Sequence, residues 1–275
     1  MTAVADLSGY GPWAVITGAS SGIGRAFAER CASDGLNVVL AARSTERLQE
    51  LGRTLSANHD IAYRVVTVDL TYPGGAADLV AATADLDVGL LISNAGAARP
   101  GRFLEQDLAD LHRRLILNST SHLELAHAFG RRFVQRGGGA MVLVSALGAA
   151  HGLPNMAHDG AAKAYVLNLG EALNHELRPA GIKVTVMMPG SVDTPVIDDL
   201  GLDRDRLPFS PLPVGSAIRQ TIRALRAGHA TIVPDRRLRA LARLTPRRLS
   251  ITMNGRMLGR AADSLAARQA DNRAR

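Results

Sequence analysis

Short apolar runs alternate with helical patterns along most of the chain. Runs rich in Val, Ile, Leu or Ala predict strands at Trp13–Thr17, Asn37–Ala41, Ala62–Val68, Gly89–Ser93, Ala140–Ser145, Lys183–Met188 and Ala230–Val233. They are short and lack a polar face, as strands covered on both sides do. Helices are predicted between them at Gly22–Asp34, Ser44–Asn58, Gly74–Ala84, Glu105–Gln135, Ala157–Arg178 and Val214–Ala227. Regular strand–helix alternation predicts right-handed βαβ crossovers. The expected fold is therefore α/β, a doubly wound parallel sheet of about seven strands with helices on both faces.

Two regions break the rhythm. Pro189–Pro213 is rich in Pro, Asp and Gly and too long for a plain connection, so it predicts a lid over a substrate. Leu200, Leu202, Leu207 and Phe209 within it favour a mainly apolar small molecule. After Pro234, Leu238, Leu241 and Leu244 recur at helical spacing among arginines, which predicts a basic amphipathic helix. The end, Ala270–Arg275, is expected to be disordered. The expected division is residues 1–234, including the lid 189–213, and a basic helical extension over 235–275.

Composition changes this picture little. At 275 residues, 47% apolar and 21% charged, the chain fits one large α/β domain. No apolar run reaches the ~18 residues that span a bilayer. Met1–Trp13 has neither a basic nor an apolar leader region, and Cys31 is alone, so a cytoplasmic location is expected. Charge is more informative. The net +7 is carried by residues 235–275, which hold 11 Arg and 3 Asp; the remainder sums to −1. Such a tail suits peripheral contact with an anionic membrane, although a solvated helical surface accounts for it as simply. A nucleic-acid partner is not expected. Only two lysines occur, Lys163 and Lys183.

The candidate chemistry begins where the first strand runs into Thr17-Gly18-Ala19-Ser20-Ser21-Gly22-Ile23-Gly24 and a helix. Glycines there allow a tight turn and close approach of backbone to a pyrophosphate. The helix N-terminus adds free N–H groups and partial positive charge. With its glycine spacing in that context, the pattern resembles the short-chain dehydrogenase/reductase family, and the resemblance covers roughly residues 12 to 235. It implies a Rossmann-type fold and further landmarks in order. Asp69 and Leu70 follow the third strand, where the adenine is contacted. Asn94-Ala95-Gly96 follows the fourth. Asn118, Ser145 and Lys163 match the family's catalytic Asn, Ser and Lys. Pro189, Gly190, Val192 and Thr194 match the loop that clasps the nicotinamide. The implied cofactor contacts are Gly18, Ser20, Ser21, Gly22, Ile23, Gly24, Arg43, Asp69, Leu70, Asn94, Ala95, Gly96, Lys163, Pro189, Gly190, Val192 and Thr194.

NAD specificity needs a carboxylate at the end of the second strand, and none stands there. Arg43 instead suits the 2′-phosphate of NADP(H), with Arg25 and Ser20 as helpers. The family's tyrosine, four residues before the lysine, is replaced by Asp159. That spacing puts Asp159 and Lys163 on one helix face. An aspartate beside Lys163 is expected to be ionised, its pKa lowered, and so unable to donate a proton. Three readings follow: an NADP(H) oxidoreductase drawing its proton from water, Ser145, His151 or His158; a redox-neutral enzyme using Asp159 as general base; or an NADP-binding protein without turnover. Tyr165 is read as helix packing. His112, His122 and His127 are read as surface or interface residues, and no metal site is expected. The resemblance also implies a small-molecule substrate and a homodimer or homotetramer.

Overall fold

The computed structural model describes residues 6–274, without the side chains of 269–274. Its strands are β1 Trp13–Thr17, β2 Asn37–Ala42, β3 Tyr63–Thr67, β4 Val88–Ser93, β5 Gly139–Val144, β6 Ile182–Met187 and β7 Thr231–Ile232. All pair in parallel, in the order β3-β2-β1-β4-β5-β6-β7. Successive residues of each strand face opposite layers. Ile16, Leu40, Ile92 and Val142 pack on one side, while Val15, Val39, Leu91 and Met141 pack on the other.

Both layers are helical. Phe27 and Cys31 of α1 (Gly22–Ser33), Leu48 of α2 (Thr45–His59) and Ile218 and Ile222 of α8 (Val214–Arg226) close the first side. Leu79 of α3 (Gly75–Ala81), Phe129 and Phe133 of α5 (Ser121–Arg136) and Val166 of α6 (Ala157–Glu176) close the second. The strand order reverses between β1 and β4. In such sheets the crevice beyond the strand C-termini at that point is where ligands bind.

The helix expected over Glu105–Gln135 starts three residues later, at Leu108, and is interrupted by a π turn. A short 3₁₀ turn, Phe103–Glu105, precedes α4 (Leu108–Leu115), and a π turn, Ile116–Thr120, joins α4 to α5. A π turn adds one residue to an otherwise continuous helical path, so apolar spacing does not betray it. The segment 189–213, read as a lid, contains α7 (Val196–Asp199), and within it Arg204 bridges Asp193 and Asp198.

The tail is helical as expected, with α9 (Arg236–Leu244) and α10 (Arg247–Ala274), but its leucines do not share one environment: Leu238 is buried and Leu244 is 82% exposed. Helix continues to Ala274, against the expected disorder from Ala270; Arg275 lies outside the described residues. Small residues let α10 lie against the chain. A Cβ on Gly255 would stand 3.2 Å from Pro154, and one on Gly201 of the lid 2.9 Å from Leu265. Asn155 donates to the carbonyl of Gly255 at 3.1 Å. Among the described residues, no helix is long and apolar enough to cross a membrane.

Candidate functional site

The turn after β1 is built by glycine where nothing larger fits. Gly18 (φ +66°) and Gly22 (φ +54°) adopt the left-handed region. A Cβ on Gly24 would meet the Gly18 carbonyl at 2.2 Å. Thr17 and Asn94 latch this turn to the end of β4. The Thr17 hydroxyl accepts from the amides of Asn94 (2.8 Å) and Ala95 (2.9 Å), and the Asn94 side chain donates to the Thr17 carbonyl at 2.9 Å. The α1 N-terminus thus sits rigidly at the switch point, with the unpaired first-turn amides any helix start presents.

Arg43, just beyond β2, is exposed. Next to the turn a cleft of about 280 Å³ is lined by Ser20, Arg25, Arg47, Glu50, Leu51 and Thr54. Arg43 does not line it, and the cationic lining comes from Arg25 and Arg47. Asp69 accepts from the amide of Thr71 at 2.9 Å, and Leu70 is buried beside it. In the loop expected to clasp the nicotinamide, Val192 bridges to Leu212, Thr194 lies about a van der Waals contact from the Gly22 position, and a Cβ on Gly190 would strike Leu238 of α9. That loop and the glycine turn are therefore neighbours.

The C-terminal ends of β4 and β5 gather the remaining groups. Asn118 sits in the π turn, fully buried, exchanging hydrogen bonds with the amide (3.1 Å) and carbonyl (2.6 Å) of Ala97. A Cβ on exposed Gly96 would lie 3.0 Å from Asn118 Oδ1 and 3.1 Å from Lys163 Nζ, so a side chain there would crowd both groups. The Ser145 hydroxyl donates to the Lys163 carbonyl at 2.7 Å. Lys163 Nζ donates to the Val144 carbonyl at 2.9 Å and stands 3.2 Å from His122 Nε2. Burial pushes the Lys163 pKa down to about 7, with Asp159 opposing. His122 is held well below its ordinary value by burial first and then by the Lys163 charge.

Asp159 does not pair with Lys163. Its Oδ2 accepts from Arg114 Nη1 at 2.8 Å and from the amide of Arg99 at 3.0 Å; its Oδ1 is buried without a partner. Arg114, 6% exposed, also holds Asp110 and Gln106. The expectation that Lys163 lowers the Asp159 pKa is corrected. Burial raises it, and the opposing influences are the Arg99 amide, then Arg114. The reason is placement: Asp159 lies in the first turn of α6, facing α4 and the segment after β4 rather than the lysine.

Two further expectations change. His122 is not a surface residue; it is 1% exposed, and its Nδ1 lies 2.8 Å from Ser93 Oγ. Tyr165, read as helix packing, is 43% exposed. His112 and His127 are exposed as expected. His151 Nδ1 and His158 Nε2 are buried without partners. Sequence reasoning missed Thr17, Arg114 and His122 as site residues. The signal for His122 was present, because it follows Asn118 by four residues and so shares its helix face.

The sequence profile described as short chain dehydrogenase matches residues 12–205. The chain is 31% identical over 186 residues to 7beta-hydroxysteroid dehydrogenase of Mediterraneibacter gnavus, covering 68% of this chain and 71% of that one. It is also 31% identical over 193 residues to the human protein named inactive hydroxysteroid dehydrogenase-like protein 1, covering 67% of this chain and 57% of that one. Among solved structures, the short-chain dehydrogenase of Sphingobium yanoikuyae in complex with NADPH is 34% identical, with a TM-score of 0.77 over 84% of this chain and 91% of that one.

Proposed function

Because this chain belongs to the short-chain dehydrogenase family of NAD(P)(H)-dependent oxidoreductases, we propose that it binds NADP(H) and acts on a carbonyl or hydroxyl of a small, mainly apolar molecule through a non-standard active site. The observation that carries this reading is the clustering of Asn118 and Lys163 around Gly96, with Ser145 hydrogen-bonded to the Lys163 carbonyl.

The residues present fit the cofactor. The Gly18, Gly22 and Gly24 turn and the α1 N-terminus would hold the pyrophosphate. Arg43, Arg25 and Ser20 would meet a 2′-phosphate, with Arg47 joining from the adjoining cleft. The NADPH complex of the Sphingobium relative is consistent with that preference. Lys163 and Asn94–Gly96, with Pro189, Gly190, Val192 and Thr194, would hold the nicotinamide end. When bound, the cofactor supplies or accepts a hydride. The chain's own residues then have to fix the substrate oxygen and manage one proton. Ser145 would hold that oxygen once its hydroxyl turns from the Lys163 carbonyl. Asp159 replaces the family's tyrosine and, tied to Arg114, takes no part in proton transfer, which leaves Lys163 and water, or His151 and His158, as proton sources.

A second reading, an NADP-binding protein without turnover, is favoured by the same Asp159–Arg114 bridge. Use of Asp159 as a general base in redox-neutral chemistry requires that bridge to open. Titration with NADPH and NADP⁺, followed by absorbance at 340 nm with a carbonyl and alcohol panel, separates the readings. Binding with turnover supports the first, and binding without turnover the second. Absence of binding ends both.

The lid 189–213 and the extension 235–275 would together form the substrate side of the 1–234 unit, since α10 lies against Pro154 and the lid. Exposed Leu115, Leu123 and Tyr165 on α4, α5 and α6 support self-association into a dimer or tetramer, which light scattering tests. The arginines of α9 and α10, with exposed Leu244, Leu249 and Met253, support contact with an anionic membrane; equal recovery on neutral and anionic vesicles would refute it.

A further inference from the structure

With Asp159 turned to Arg114, the partner of Lys163 is His122. Its ring is enclosed between β4 and α6, with Nδ1 at 2.8 Å from Ser93 Oγ and Nε2 at 3.2 Å from Lys163 Nζ. An ammonium donates and cannot accept. A charged Lys163 therefore requires a bare Nε2, which places the ring proton on Nδ1, pointing at Ser93. The three ammonium protons are then accounted for. One goes to the Val144 carbonyl and one to His122. The third is left on the side of Gly96 and Asn118, where a Cβ on Gly96 would lie 3.1 Å from Nζ.

We propose that His122 is a positioning residue for Lys163: held as the Nδ1–H tautomer by Ser93, it accepts one ammonium proton and fixes Nζ with its remaining proton facing the strand ends. Its effect on the reaction rests on the oxidoreductase reading, but the pairing itself does not. The surrounding groups are few. On α6, Asp159 is the charge that raises Lys163, and it is itself tied to Arg114. On β4 Ser93 and in the π turn Asn118 are neutral, and on β5 only the Val144 carbonyl reaches Nζ. The Ala95 backbone raises His122, but burial and the Lys163 charge outweigh it, so the ring stays neutral. A neutral acceptor stabilises the ammonium without adding charge, and its loss should make Lys163 easier to deprotonate.

The scarcity of lysine makes this measurable. With ¹³Cε-lysine the full-length protein gives signals only from Lys163 and Lys183, and Lys183→Arg assigns them. In the cofactor-free protein, His122→Leu is expected to lower the Lys163 midpoint by about one pH unit, a tenfold change in its proton affinity. His122→Gln, which keeps an acceptor, is expected to hold it near the wild-type midpoint. An unchanged midpoint in His122→Leu overturns the proposal. If both variants fail to fold, ¹⁵N-histidine spectra of the wild type decide: an Nδ1–H tautomer supports the pairing and an Nε2–H tautomer refutes it. No readout uses NADPH or turnover, so failure here leaves the oxidoreductase reading standing, and failure of NADPH binding leaves the pairing standing.

Discussion

Asp159 Oδ2 lies 2.8 Å from Arg114 Nη1, with both side chains almost fully buried. This contact joins α6 to α4 across 45 residues of sequence. Removing one partner of a buried pair strands the other, at a cost of roughly 3–5 kcal/mol, whereas replacing both by apolar groups is often nearly neutral. Arg114→Leu alone should therefore lower unfolding stability in urea by about that amount. The Arg114→Leu/Asp159→Leu double variant should recover most of it. A single-variant loss below about 1 kcal/mol would show the bridge to be incidental.

Placing a phenol at position 159 needs the same partner considered. Asp159→Tyr leaves the Arg114 guanidinium with Asp110 as its one carboxylate, so the single variant is expected to fold less well. Asp159→Tyr with Arg114→Leu should fold better and reduce carbonyls with NADPH on the order of 100-fold faster than the wild type, the low end of general-acid catalysis. A stable double variant with no gain would show that the site lacks more than a proton donor.

Lys163 predicts a pH dependence of stability. Its folded pKa, about 7, lies below the unfolded value of 10.5. Between these values the unfolded chain binds the extra proton, so stability rises with pH. Below about pH 7 the full penalty applies, on the order of a few kcal/mol. Lys163→Met should remove this slope. Urea unfolding at intervals from pH 6 to 9.5 should show the wild type gaining on the variant as pH rises, and parallel curves would contradict the depressed value.

Arg43 should discriminate between cofactors. A charge-assisted contact to a 2′-phosphate is worth about 1.5–3 kcal/mol. Arg43→Ala should weaken NADPH binding roughly 10- to 100-fold and leave NADH unchanged. An equal loss for both cofactors would place Arg43 elsewhere in the site, and no loss would leave the phosphate to Arg25 and Arg47.

Much of the fold was legible because strands buried on both faces read as bare apolar runs; β1 was placed at Trp13–Thr17 from that alone. The glycine turn was legible for a similar reason, since the steric demand at Gly18 and Gly24 is local. What was not legible depends on distant groups. The fate of Asp159 is decided by Arg114, which only the packing of α4 on α6 brings near. Likewise α10 meets the chain through Gly255 and Gly259, and small residues leave no apolar period to read.

That close fit can be tested directly. Gly255→Leu has no room against Pro154, so α10 should be pushed from the loop at residues 151–155. Hydrogen exchange is expected to rise in that loop and in the lid, while the Gly18–Gly24 turn and NADPH binding stay unchanged. Unaltered exchange would mean that α10 rests on the loop without restraining it.

The π turn at Ile116–Thr120 sets the placement of Asn118 apart from the packing of α5 on the sheet. One surplus residue is absorbed there, so the helix beyond it stays in phase. A one-codon deletion within it would let the backbone relax to an ordinary helix, leaving Phe129 and Phe133 in the core while Asn118 left its place beside Ala97. A lineage could thus disarm this site, or a descendant rearm it, in a single genetic step that the rest of the protein would scarcely register.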